Sequence, residues 1–164
     1  MRFEFATAAR IIFGPGTVRE VAPAAREIGR RALLVTRRSA EPTAAFAAQL
    51  EAAGVAATRF AVVGEPSVDL VQQGVAQARE QNCDLVIAFG GGSPLDAAKA
   101  IAALLTNPGD LLDYLEVIGK ANALSFAPAQ YIAVPTTAGT GAEVTRNAPS
   151  RLASPNDFLS FIGS

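Results

Sequence analysis

Two glycine-rich strings carry the residue types best suited to grip a small anionic ligand, Phe89-Gly90-Gly91-Gly92-Ser93-Pro94-Leu95-Asp96 and Pro135-Thr136-Thr137-Ala138-Gly139-Thr140-Gly141-Ala142-Glu143. Each follows a short apolar run of the kind that forms a buried strand. In the first string the glycines remove side chains where backbone must approach a ligand. Ser93 offers a hydroxyl as helix N-cap or phosphate donor, and Pro94 suits the first position of a helix. A helix beginning there turns its unpaired amides and the positive end of its dipole toward whatever lies beyond the strand, which suits a phosphate. The second string places the hydroxyls of Thr136, Thr137 and Thr140 among glycines, able to hold ribose, phosphate or amide groups from one side. Together they predict a nucleotide-binding crevice.

A plainer reading stands beside each string. Ser93 with Asp96, and Thr140 with Glu143, have capping-box spacing, so Glu143 reads as a helix cap before it reads as a catalytic acid. Asp96 and Lys99 have the spacing of an i,i+3 ion pair. Gly14-Pro15-Gly16 is half of a dinucleotide fingerprint at most: the third glycine is missing and Val18 and Val21 look like core positions, so a turn is the better reading. The chain has no histidine, which leaves any chemistry needing imidazole, as metal ligand or as acid and base, to other groups. Its single cysteine, Cys83, allows no internal disulfide and reads as a buried structural thiol in a reducing compartment.

The elements that must position these strings alternate in type. Short strands are expected at Phe3 to Ala6 and Arg10 to Gly14, then a helix whose Thr17 and Glu20 have capping-box spacing. Ala32 to Thr36 reads as a strand, Pro42 to Ala53 as a helix ended by Gly54, and Ala57 to Val63 as a strand. Ser67 caps a helix through about Gln81, and Asp84 to Phe89 is the next strand. Helix Pro94 to Leu105 follows, stopped by Asn107-Pro108-Gly109. A helical turn around Asp110 to Leu115 precedes the strand Tyr131 to Val134. The alternation predicts an α/β fold, a Rossmann-like three-layer domain with a mostly parallel sheet and a hairpin-like N-terminal edge. The helix after Gly92 is apolar nearly all round, with Asp96 and Lys99 as its expected exposed stripe. Arg146 to Ser164 has no clear period and is given no place in the sheet.

Composition narrows the class. The 164 residues, 50% hydrophobic and 18% charged, suit one domain of ordinary size with a substantial core. A net charge of −1 and no Lys/Arg cluster with interleaved aromatics give no nucleic-acid surface. The N-terminus has no apolar signal core, and no stretch approaches the roughly 18 uninterrupted apolar residues of a membrane span. A cytoplasmic protein is the expectation, with neither nucleic acid nor membrane as partner.

The strings GGGSPLDAAKAIA and PTTAGTGAEVT, the Asn107-Pro108-Gly109 turn between them and the opening FxFxTxxxIxFGPGT resemble the N-terminal half of the iron-dependent (group III) alcohol dehydrogenases, from residue 1 to about 147. The resemblance implies a dinucleotide-binding domain in which Gly91, Gly92 and Ser93, with Asp96 beside them, hold the cofactor pyrophosphate. It also implies that Thr136, Thr137, Thr140 and Thr145 line the path toward the nicotinamide. It implies hydride transfer between an alcohol and an aldehyde or ketone with NAD or NADP as cofactor, the oxygen being polarised by iron or zinc. Because the family's other half would cover one side of this domain, exposed apolar surface and a homo-oligomer are also expected, in keeping with the all-round apolar helix. In the family the metal is held by one Asp and several His of a helical C-terminal domain. No residue of this chain is therefore assigned a catalytic or metal-binding role.

Two departures from the family pattern bear on function. Where members that prefer NAD often carry an Asp for the ribose 2′-OH, this chain has Thr36-Arg37-Arg38-Ser39. Arg37 either pairs with a 2′-phosphate or is, with Arg38, a solvated surface residue. After Arg146-Asn147-Ala148 the family continues into another strand and the metal-binding half, whereas residues 148–164 form an atypical tail, as a truncated or frame-shifted reading would produce. Two further readings stay open: a non-catalytic dinucleotide-binding module, and a relative of glycerol dehydrogenase or maleylacetate reductase.

Overall fold

The structure, a computed structural model, describes residues 10–37, 40–114, 120, 122–137 and 158–162. The chain runs β1 (Arg10–Phe13), a 3-10 turn (Thr17–Glu20), α1 (Val21–Ile28), β2 (Arg31–Arg37), α2 (Ala40–Ala52), β3 (Ala56–Val62) and α3 (Val68–Glu80). It continues through β4 (Leu85–Gly90), α4 (Gly92–Thr106), the short α5 (Leu111–Tyr114), β5 (Gln130–Pro135) and β6 (Phe158–Ile162). Among the described residues the strands form one six-stranded sheet in the order β1-β6-β5-β4-β2-β3. Every pairing in it is parallel. This is the α/β architecture that the alternation of apolar runs and amphipathic segments predicts.

Parallel pairing buries both faces of the central strands, which is why β2 and β4 read as unbroken apolar runs. Ala32, Leu34, Leu85, Ile87 and Ile132 face one core, closed by α1 and α2 with Val21, Phe46 and Leu50. Leu33, Val35, Val86, Ala88 and Tyr131 face the other, closed by α3 and α4 with Val75, Leu95 and Ile101. The all-round apolar character of α4 has the same cause, because it packs against both the sheet and its neighbour α3. The helices approach closely at Gly74, where a Cβ would collide with Ile101 Cδ1 and come within 3.2 Å of Phe60 Cε1. Gly54 ends α2 at φ +82, with Val55 N–H bonded to Leu50 C=O and Gly54 N–H to Glu51 C=O, both at 2.9 Å, as in a Schellman stop.

Several local expectations are corrected. Thr17 is not the N-cap of the expected helix: the segment is a 3-10 turn whose N-cap is Gly16 at φ 76, a left-handed position that glycine takes without strain. Helix α4 starts before Ser93, with Gly91 as N-cap, so Ser93 lies inside the first turn and Pro94 is its third residue. Pro94 is tolerated there because first-turn amides have no intrahelical acceptor. Lys99 belongs to the buried side of α4, at 3% exposure, and Asp96 alone reaches solvent from the expected stripe. The C-terminal segment also enters the sheet, since β6 inserts between β1 and β5. Among the described residues β1 is the edge strand, paired in parallel with β6; the other half of the expected hairpin, Phe3 to Ala6, lies outside them. Ser67 does cap α3, its Oγ accepting from Leu70 N–H at 3.2 Å.

Three polar ties fix the frame. The Asp84 carboxylate accepts the backbone N–H groups of Arg30 (2.9 and 3.0 Å) and Arg31 (2.9 Å), joining the start of β4 to the corner before β2. Asn107, fully buried at the end of α4, donates to Ala103 C=O (2.8 Å) and Phe126 C=O (3.0 Å) and accepts from Ser125 and Phe126 N–H, both at 2.9 Å. The Arg79 guanidinium donates to Leu104 C=O at 2.6 Å, setting a positive charge at the negative end of the same helix.

Candidate functional site

Strand order locates the site. From β2 the chain crosses to β3 on one side, then returns to place β4 on the other side of β2 and β5 beyond it, so the direction of winding reverses between β2 and β4. Loops leaving adjacent strands on opposite sides of such a switch point part from one another and leave a crevice at the strand C-termini. A cavity of about 600 Å³ occupies that place. Arg37 from the end of β2, Val62 and Gly64 from β3 and its exit, and Phe89 to Pro94 from β4 and α4 contribute to its walls. Thr136 and Thr137, just past β5, and Pro42 and Thr43 of α2 complete the lining.

The floor is glycine where the side chains of Pro94 and Thr137 come close. A Cβ on Gly90 would lie 2.9 Å from Pro94 Cγ, and one on Gly91 would lie 3.2 Å from Thr137 Oγ1. Register sets Gly90 opposite Pro135, and Thr136 N–H donates to Gly90 C=O at 2.9 Å, so the two glycine-rich strings emerge side by side. Helix geometry leaves the amides of Gly91, Gly92 and Ser93 without intrahelical acceptors, and Pro94 has no N–H to add. Those amides, the Ser93 side chain and the positive end of a 15-residue helix share one corner of the cavity, an arrangement able to bind an anion.

Of the residues singled out from the sequence, Arg37, Gly91, Gly92, Ser93, Thr136 and Thr137 line this one crevice. Asp96 does not line it: it sits a turn further along α4, its carboxylate 3.6 Å from Lys99 Nζ, the ion pair that the spacing suggests. Thr140, Glu143 and Thr145 lie outside the described residues. Thr43, at 2% exposure, and Phe89, stacked on Phe46 with ring centroids 4.9 Å apart, are wall residues that sequence reading missed. Their signal was weak, since each looks like an ordinary core position until the strand order is known.

Charged chemistry away from the crevice is sparse among the described residues. Burial is the largest influence on Cys83 and raises its thiol pKa; a hydrogen bond with Thr58 opposes this, Asp84 adds to it and Arg31 opposes it. Asp113 and Lys120 pair at 2.7 Å on the surface, which lowers the pKa of the carboxyl and raises that of the ammonium. No group of three or more His, Cys, Asp or Glu side chains among the described residues is placed to hold a metal ion, and no helix among them is long and apolar enough to cross a membrane.

Relatives with this geometry are numerous. The probable alcohol dehydrogenase EutG of Escherichia coli K12 is 42% identical over 137 residues, an alignment covering 80% of this chain and 34% of that protein. The solved structure of a 1,3-propanediol oxidoreductase superposes with a TM-score of 0.86 at 28% identity, covering 99% of this chain and 46% of that one. A sulfoacetaldehyde reductase from Bifidobacterium kashiwanohense, solved in complex with NAD+, superposes at 0.84 with 26% identity, covering 99% and 46%. The chain thus spans about a third of the length of the curated relative and under half of the solved chains. Residues 8–151 match the iron-containing alcohol dehydrogenases, and the chain belongs to that family.

Proposed function

We propose that the crevice binds a nicotinamide dinucleotide and that this chain is the NAD(P)-binding portion of an iron-dependent alcohol dehydrogenase acting on a small alcohol or aldehyde. The observation carrying this reading is the start of α4 at the switch point, where a side-chain-free cradle at Gly91 and Gly92 faces Thr136 and Thr137 across one cavity. The pyrophosphate takes the amides of Gly91, Gly92 and Ser93. Thr136 and Thr137, continued by Thr140 and Thr145, orient the remainder toward the nicotinamide. Arg37 stands at the crevice wall where an acidic residue would repel a 2′-phosphate, so NADP(H) binds at least as well as NAD(H). A bound nicotinamide supplies hydride exchange; what this chain contributes is binding, orientation and exclusion of water from the cradle.

The residues present do not fit an iron or zinc site. There is no histidine in the chain, and the described carboxylates do not cluster. Asp96, the acidic side chain nearest the cradle in sequence, is engaged with Lys99. We therefore expect these 164 residues to bind cofactor without oxidising alcohols. The same donor set favours the second reading, a dinucleotide-binding module without catalysis of its own. A reducing, cytoplasmic setting and self-association complete the proposal, supported by the lone Cys83 and by exposed Ile11 and Phe13 on the edge strand β1.

The test has two arms on the purified chain. Calorimetric titration with NADP(H) and NAD(H) should show binding of both, with NADP(H) at least as tight; absence of binding refutes the site, and clearly tighter NAD(H) refutes the role of Arg37. An absorbance assay for reduced cofactor with primary alcohols and diols, with and without ferrous iron, should show no turnover. Metal-dependent turnover after contaminating full-length enzyme is excluded would overturn the binding-only reading.

A further inference from the structure

We infer that Tyr131 is a positioning residue for the phosphate cradle, an inference that rests on the dinucleotide reading and assigns how the cradle is held in shape. The cradle and the first turn of α4 span Gly91 to Leu95 and are tied to β5 at both ends. At one end the backbone N–H of Thr136 donates to Gly90 C=O at 2.9 Å. At the other, the Tyr131 hydroxyl donates to Leu95 C=O at 3.3 Å in a buried contact.

Leu95 matters because its own N–H closes the first turn of the helix onto Gly91 C=O, and that bond is long, at 3.3 Å. A normal helical bond is nearer about 2.9 Å, so this first closure of the ladder is a weak one. Pro94 just before it has no N–H to contribute. The external tie from Tyr131 therefore acts on the residue that sets the curl of Gly91, Gly92 and Ser93, whose amides must converge on one anion. Tyr131 is 2% exposed and does not line the crevice, so it acts through Leu95 and not on the ligand. The Thr136 tie is backbone and survives mutation; the Tyr131 tie hangs on one oxygen atom.

Tyr131→Phe removes that oxygen and keeps the ring in the core. Its expected effect is about two- to fourfold weaker binding of ADP, the probe that carries the pyrophosphate, the low end of what a single hydrogen bond supports, since at 3.3 Å the contact is long for a hydroxyl donor. Amide hydrogen exchange should quicken at Leu95 and Asp96, the first amides of α4 that its own ladder protects, while the last turns of α4 and strands β4 and β5 keep their wild-type rates. Tyr114→Phe is the control, since it removes a hydroxyl bonded to Pro108 C=O, beyond the other end of α4, and should leave ADP affinity unchanged. Unchanged ADP affinity in Tyr131→Phe, uniformly faster exchange, or an equal loss in Tyr114→Phe each overturns the proposal while leaving the site intact. Failure of the wild-type chain to bind ADP overturns the dinucleotide reading and this proposal together.

Discussion

Gly91 and Thr137 occupy adjoining space across the top of β4 and β5: a Cβ placed on Gly91 would lie 3.2 Å from Thr137 Oγ1 and 3.6 Å from its Cγ2. The backbone of Gly91 is at φ −83 and ψ −162, a conformation open to any residue. The glycine is thus required by what stands beside it, not by strain. Gly91→Val should fold with a cooperative thermal transition, giving up about 1 kcal/mol at the helix cap, and should lose measurable dinucleotide binding by calorimetry because the branched side chain fills the cradle. Normal binding in that variant would reduce the first glycine string to a turn.

At the opposite wall, charge is the variable. Arg37→Glu replaces a possible partner for a 2′-phosphate with a group that repels it. NADP(H) affinity is expected to fall about ten- to a hundredfold, the worth of one charge-assisted hydrogen bond, while NAD(H) affinity holds or improves. Equal losses for both cofactors would show that Arg37 serves the shape of β2 and not cofactor choice.

Asn107 is the polar keystone at the far end of α4. Asn107→Ala removes the partner of the part-buried N–H groups of Ser125 and Phe126 and of the Phe126 carbonyl. Urea denaturation should register a loss of about 1–2 kcal/mol, since each lost hydrogen bond is worth about 0.5–1.5 kcal/mol and the part-buried partners regain water. Asn107→Asp keeps the acceptor for both N–H groups but forfeits the donated bonds, and should also destabilise.

Cys83 should be slow to react. Desolvation, the largest influence on it, holds the thiol above its ordinary value of 9.0, so alkylation by iodoacetamide at mildly alkaline pH should lag behind that of the urea-unfolded chain. The sign for stability follows. Above pH 9.0 the unfolded chain gives up the thiol proton first, the folded state holds more protons, and stability falls with rising pH until the folded thiol also ionises. A Cys83→Ser variant should show a flatter loss across that range.

Much of the site was legible in the residues. Glycines before a helix, followed by Ser93 and Pro94, have few uses other than close approach and a helix start, and the threonine string after β5 repeats the logic. The same local reading misjudged Lys99, because spacing along α4 cannot say which side another helix will cover. It placed the helix start two residues late, because Ser is a better cap than Gly in isolation while Thr137, 3.2 Å from where a Gly91 Cβ would lie, favours glycine at the cap.

What the sequence determined by itself was the alternation of strand and helix, the parallel sheet that alternation demands, and the chemistry of the two turns, since these follow from periodicity and residue type within short windows. What only the tertiary structure decided was strand order. The reversal of winding between β2 and β4, the arrival of β6 between β1 and β5, and the gathering of Arg37, Gly91 and Thr137 around one cavity join residues far apart in the chain. Such neighbours are chosen by which apolar faces can be buried together. That is a property of the whole packed sheet, and no local stretch of sequence encodes it.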